Sequence, residues 1–145
     1  MGNGSNILFF LDEVEYRLRY KRKIREWIIK AADNEGFKLG RVNYILTNDH
    51  ILLQLNKEYL RHHTLTDIIT FDLSEKEGVI TGDIYISVDR ARENAREYKV
   101  TLFEELKRLM IHGVLHLMGY RDKTAEEKVQ MRAKEEFYLS LPPWA

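Results

Sequence analysis

Cysteine is absent from the 145 residues, which excludes disulfides and thiolate metal sites. Any transition metal held here must therefore be bound by imidazole and carboxylate. Proline occurs only as Pro142 and Pro143, and no Gly/Ser-rich tract interrupts the chain, so nothing divides it. Long apolar runs are missing as well: "ILFFL" ends after five residues at "DEVE", too short for a signal peptide or a membrane span. "MGNGSN" opens like a myristoylation signal but carries Asn6 where Ser or Thr is required. No membrane attachment and a cytoplasmic location are the expectations. Net charge is lacking too. The 23 basic and 23 acidic side chains cancel, which argues against a purely electrostatic nucleic-acid binder.

What remains is an ordinary globular composition, 44% hydrophobic and 32% charged, in a length that suits one domain (1–145) with a real core. The charge is unevenly placed. "RLRYKRKIREWIIK" (17–30) carries seven basic residues and one acid, either a solvated helix face or an RNA-facing surface. Eight tyrosines offer rings for stacking on bases, but helical or strand spacing assigns most of them to the core.

Periodicity predicts an α+β fold with a mixed sheet of about four strands packed with helices. Strands are expected at "NILFFL", "VNYILT" (42–47), "DIITFDL" and "GDIYIS" (82–87), with "KEGV" as a turn. Ile24, Trp27, Ile28 and Ala31 mark a helix from about Lys21 to Asn34, stopped by Gly36. Asn48 or Asp49 can cap a second helix, and "VDRARENAREYK" forms a charged third. Thr101 with Glu104, and Thr124 with Glu127, have capping-box spacing, so two further helices start there. The first runs to Gly119 and the last to about Leu139.

The chemistry concentrates in "HGVLHLMGYRD" (112–122). His112 and His116, four apart, project from one helix face and reach one cation together. Gly119 can close the helix in a left-handed conformation and turn the chain back, bringing Asp122 round as a third ligand. Leu109, Met110, Val114, Leu115, Leu117 and Met118 make this helix apolar nearly all round, so two buried imidazoles need partners or a metal. Three protein ligands and one open position are the arrangement of a catalytic zinc site. The spacing is that of metzincin proteases, but Gly113 stands where those carry a glutamate as general base. A metallopeptidase is disfavoured on that ground.

The same stretch resembles the signature H-G-x-L-H-L-x-G-Y-D-H of the YbeY family of bacterial endoribonucleases. "LNKEYLRHHTLTDIITF" (55–71) is similar to that family's L-N-x-x-Y-R-x-x-x-x-x-T-D-V-L-S-F, and "GDIYIS" to its G-D-I-x-I-S. The resemblance implies a zinc ion on three side chains, His112, His116 and Asp122, and cleavage of single-stranded RNA. It implies a role in small-subunit ribosomal RNA maturation and ribosome quality control. Precursor ribosomal RNA and the small ribosomal subunit are the implied partners, with ribosomal proteins or an assembly GTPase beside them. His112 and Arg61 are the implied catalytic residues. A ribosome-assembly factor whose metal is mainly structural is the alternative.

Two departures stand out. The family's "DH" after the tyrosine is "RD" here, so an aspartate replaces the third imidazole. That added negative charge weakens the ion as a Lewis acid and admits harder metals beside zinc. The family's arginine after the tyrosine falls on Leu60, leaving Arg61 one place later as the candidate guanidinium. His62 and His63 precede Thr66 and Asp67 in a polar loop and are expected to face solvent, as is His50. Thr66 and Asp67 are expected to organise the turn into the next strand. Attack by metal-bound water and attack by the RNA 2′-hydroxyl both remain open.

Overall fold

The computed structural model describes residues 6–61 and 64–144. Among them, four strands and five helices follow in the order β1 (Ile7–Leu11), α1 (Lys21–Asn34), β2 (Lys38–Thr47), α2 (Asp49–Tyr59), β3 (Ile68–Asp72), β4 (Val79–Ser87), α3 (Val88–Tyr98), α4 (Leu102–Leu117) and α5 (Ala125–Leu139). The sheet order is β1-β2-β4-β3. β1, β2 and β4 run parallel, and β3 pairs antiparallel with β4 to form one edge. The α+β class and the mixed sheet are those expected.

Local chemistry explains the helix starts. The Asn48 side chain accepts from the Ile51 amide at the head of α2, and Ser87 does the same for Arg90 at the head of α3. Thr101 and Thr124 each close a full capping box, with Glu104 and Glu127, at the starts of α4 and α5. Two strands extend beyond their sequence signals. β2 begins at Lys38 rather than Val42, and β4 at Val79 rather than Gly82. Lys38, Gly40 and Arg41 are poor strand signals, yet Lys38–Arg41 pair with Val79–Thr81 across an irregularity between Leu39 and Arg41.

The core lies between the sheet and α4. Leu106, Leu109, Met110, Ile111, Val114 and Leu115 of α4 are almost fully buried, as are Val42, Tyr44, Leu46, Ile80, Ile84 and Ile86 of the central strands. α1, α3 and α5 flank α4, while α2 packs against β3 and β4. Tyr59 of α2 meets Phe71, which in turn meets Tyr85, each edge to face. Residues alternate across the strands, so Ile84 and Gly82 face α4 while Tyr85 and Phe71 face α2.

One glycine lets the end of α4 come down onto the sheet edge. A β-carbon at Gly82 would lie 2.5 Å from the Phe71 carbonyl oxygen and 2.8 Å from Leu117 Cδ2. Because the nearer obstacle is backbone, the neighbours cannot yield cheaply. Gly82→Ala is expected to cost about 1–3 kcal/mol of unfolding free energy, measurable by urea denaturation. An unchanged midpoint would show that the contact is not tight.

Candidate metal centre

The capping box fixes where α4 begins, and its apolar sides fix how it sits. Position 113 faces the sheet: a β-carbon there would lie 2.8 Å from Ile84 Cδ1 and 2.9 Å from Ile84 Cγ2. A glutamate at 113 has no room and would bury its charge against Ile84. The absence of the metzincin base is therefore also a packing requirement. With Gly113 against the sheet, His112 and His116 share another side of the helix, their rings 4.8 Å apart.

The helix then stops where the motif needs it to. The Gly119 amide bonds the His116 carbonyl and the Tyr120 amide bonds the Leu115 carbonyl, both at 3.0 Å, which is a Schellman closure. Gly119 takes φ +103°, with no atom within 4 Å of where its β-carbon would be. Backbone conformation, not space, requires glycine here. The reversal brings Asp122 back alongside the histidines.

Three ligand atoms converge. Asp122 Oδ2 lies 3.3 Å from His112 Nε2, and Asp122 Oδ1 lies 3.6 Å from His116 Nε2. The ligand atoms of the trio all fall within 4.8 Å of one another. A tetrahedral zinc with bonds of about 2.0–2.1 Å holds its ligand atoms about 3.3 Å apart. The donor set and the spacing fit such an ion.

Behind His112 stands a buried chain of charged groups. Glu135 of α5, only 3% exposed at its side chain, lies 2.6 Å from His112 Nδ1 through Oε2. An ionised Glu135 accepts the Nδ1 proton, which leaves the Nε2 lone pair aimed toward Asp122. Burial pushes the Glu135 carboxyl up, but the His112 hydrogen bond and the Arg108 charge hold it below the ordinary value. Arg108 donates from Nη1 to Glu135 (3.2 Å) and clamps Glu105 from Nε (2.9 Å) and Nη2 (2.7 Å). Burial alone would depress the Arg108 guanidinium, and Glu105 and Glu135 raise it instead. Asn94 then ties Glu105 to Asp67 with bonds of 3.0 and 2.9 Å. His116 is lowered from the usual 6.5, by burial first and by His112 second, against the opposite pull of Asp122. It is neutral at neutral pH, the form that binds metal.

The trio opens into a cleft of about 560 Å³ between α4 and β3. Leu60, Thr66, Asp67, Ile68, Thr70 and Asp72 form the wall facing the histidines. Leu60 reaches the cleft, whereas Arg61, exposed at φ +56°, follows it outside the lining. The Thr66 hydroxyl bonds the Ile68 carbonyl, and the Asp67 carbonyl accepts from the Ser87 amide, so both organise the entry into β3. His50 is exposed. His62 and His63 lie outside the described residues. Glu135 and Arg108 were not singled out from sequence. No local motif marks Glu135, and only its position on the helix that returns over α4 reveals its role.

A family model described as endoribonuclease YbeY matches residues 9–141. The chain belongs to the endoribonuclease YbeY family. A family member from Cytophaga hutchinsonii is 48% identical over 137 residues, covering 94% of this chain and 96% of the relative. One from Amoebophilus asiaticus is 41% identical over 135 residues, covering 93% and 92%. The solution structure of a Thermotoga maritima protein superposes with a TM-score of 0.65 at 28% identity, covering 91% of this chain and 86% of that one. Membership agrees with the resemblance seen in "HGVLHLMGYRD" and its upstream blocks. Among the described residues no helix is long and apolar enough to cross a membrane.

Glu135→Gln keeps the shape but loses the charge that fixes the His112 proton on Nδ1, and zinc affinity should fall about 10–100-fold. Competition with a chromogenic chelator measures this. Wild-type affinity in the variant would mean that Glu135 does not set the ligand.

Proposed function

We propose that this protein is a zinc-dependent endoribonuclease that cleaves single-stranded RNA during small-subunit ribosomal RNA maturation. The observation that carries the reading is the convergence of His112, His116 and Asp122 on one point at the floor of a cleft. Membership in a family of endoribonucleases gives that convergence its substrate class. When bound, the ion supplies an acidified water and offsets charge developing on a phosphoryl oxygen.

The chain's own residues do the rest. His112 and His116 present imidazole nitrogens, and Asp122 adds the carboxylate that closes the set. Glu135 and Arg108 hold His112 in one tautomer and orientation, so the site needs little rearrangement on binding. Arg61 directly follows Leu60 of the cleft wall and has no carboxylate partner among the described residues. It is the group we assign to the scissile phosphate. Precursor ribosomal RNA and the small ribosomal subunit are the partners that this reading names.

Cleavage of a single-stranded RNA should stop on addition of chelator, return with zinc and be absent in His112→Ala. Arg61→Ala should retain its metal yet lose about 100-fold in kcat, in the range seen for removal of a single stabilising donor. Cleavage that survived both the chelator and His112→Ala would overturn the assignment.

A further inference from the structure

Apart from a bound metal, the side chains that line the cleft offer a polyanion little free positive charge. Asp67, Asp72 and Asp122 line it, and the guanidinium nitrogens of Arg108 are engaged by Glu105 and Glu135. Positive charge gathers elsewhere. From Arg17 to Lys23, "RLRYKRK" carries five cations and no acid. Arg17, Arg19, Lys21, Arg22 and Lys23 are all exposed, and none pairs with a carboxylate among the described residues.

This segment is a fixed surface. Buried Leu18 anchors it to the core, and Tyr16 packs beside it. The Tyr16 hydroxyl is raised by burial, against the charges of Arg92 and Arg19, which places Arg92 of α3 at the same surface. The segment borders a hollow of about 840 Å³ whose lining includes Tyr16, Arg17, Leu18, Arg19, Tyr20 and Lys21. Tyr20 is 53% exposed, its ring 5.5 Å from that of Phe103 and 5.4 Å from Lys23 Nζ. The helix dipole works against this charge. Lys21, Arg22 and Lys23 occupy the first turn of α1, where the helix dipole disfavours cations, and no acid offsets them there.

We propose that Arg17, Arg19, Lys21, Arg22, Lys23 and Arg92, with Tyr20 as a stacking ring, form a second RNA-docking surface that holds single-stranded substrate outside the cleft. Exposed cations track phosphates, and an exposed ring stacks on any base, a pairing typical of sequence-tolerant single-strand binding. Phe103, under Tyr20, precedes His112 by nine residues of α4. It therefore lies about 14 Å along the helix and about half a turn around it. The axial distance alone takes about four nucleotides at about 3.4 Å each, and the passage round the helix adds to that. This inference rests on the endoribonuclease reading, because it takes RNA as the ligand.

The test is fluorescence-anisotropy binding of a 20-nucleotide single-stranded RNA to the zinc-loaded protein across a salt series. Arg17→Gln/Arg19→Gln/Lys23→Gln should weaken binding at least tenfold and flatten the log–log salt dependence by about 2, at roughly 0.7 for each phosphate left unneutralised. Tyr20→Ala should weaken it about 5- to 100-fold. Lys76→Gln/Arg96→Gln/Lys128→Gln, with the same change in net charge, should bind within twofold of wild type. Thermal melting and metal content confirm that each variant folds. If the patch variants bind as wild type while wild type binds and cleaves RNA, the docking surface is wrong. If wild-type protein holds zinc but neither binds nor cleaves RNA, the endoribonuclease reading fails first and the surface falls with it.

Discussion

Ile84 leaves no room for a β-carbon at position 113, and that contact sets which side of α4 meets the sheet. Once Gly113 lies against the strand, His112 and His116 have to share the side that opens toward β3. Gly82 has the corresponding role a turn later along α4, letting Leu117 close over the β3–β4 edge. Both glycines serve close approach. The cleft is thus a consequence of how tightly a nearly all-apolar helix is seated, and the two histidine ligands lie on its remaining open strip.

The second constraint is electrostatic. Two buried carboxylates, Glu105 and Glu135, would be costly without a counter-charge, and Arg108 stands between them. Arg108 serves α4, α5 and, through Glu105 and Asn94, the start of β3 at Asp67. The same ion network that joins these three elements delivers a fixed carboxylate to His112 Nδ1. Stability and ligand orientation are therefore coupled, and damage to one is expected to register in the other. It also leaves Arg108 committed to structure.

Much of this was legible in the chain. The two capping boxes, the Gly119 closure and the His112–His116–Asp122 set all depend on residues close in sequence, where spacing is informative. So do the mixed sheet's four strands, apart from their starts. What escaped detection depends on distant segments. Glu135 reaches His112 only because α5 packs back over α4, 23 residues later. The start of β2 carries Lys38, Gly40 and Arg41, weak strand formers, and pairing with Val79–Thr81 of β4 is what makes them strand. Gly113 was readable as a missing base, but its steric cause needed Ile84 in place. The basic stretch from Arg17 admits two meanings in the sequence, and its want of carboxylate partners among the described residues is a fact of the tertiary structure.

The proposed chemistry depends on one ion bound by three named side chains. Anomalous diffraction at the zinc edge from crystals of the metal-loaded protein tests it most directly. The expected result is a single peak bonded to His112 Nε2, His116 Nε2 and the Asp122 carboxylate, with His112 Nδ1 still on Glu135. A peak elsewhere, or none between these side chains in protein shown to contain zinc, would contradict it.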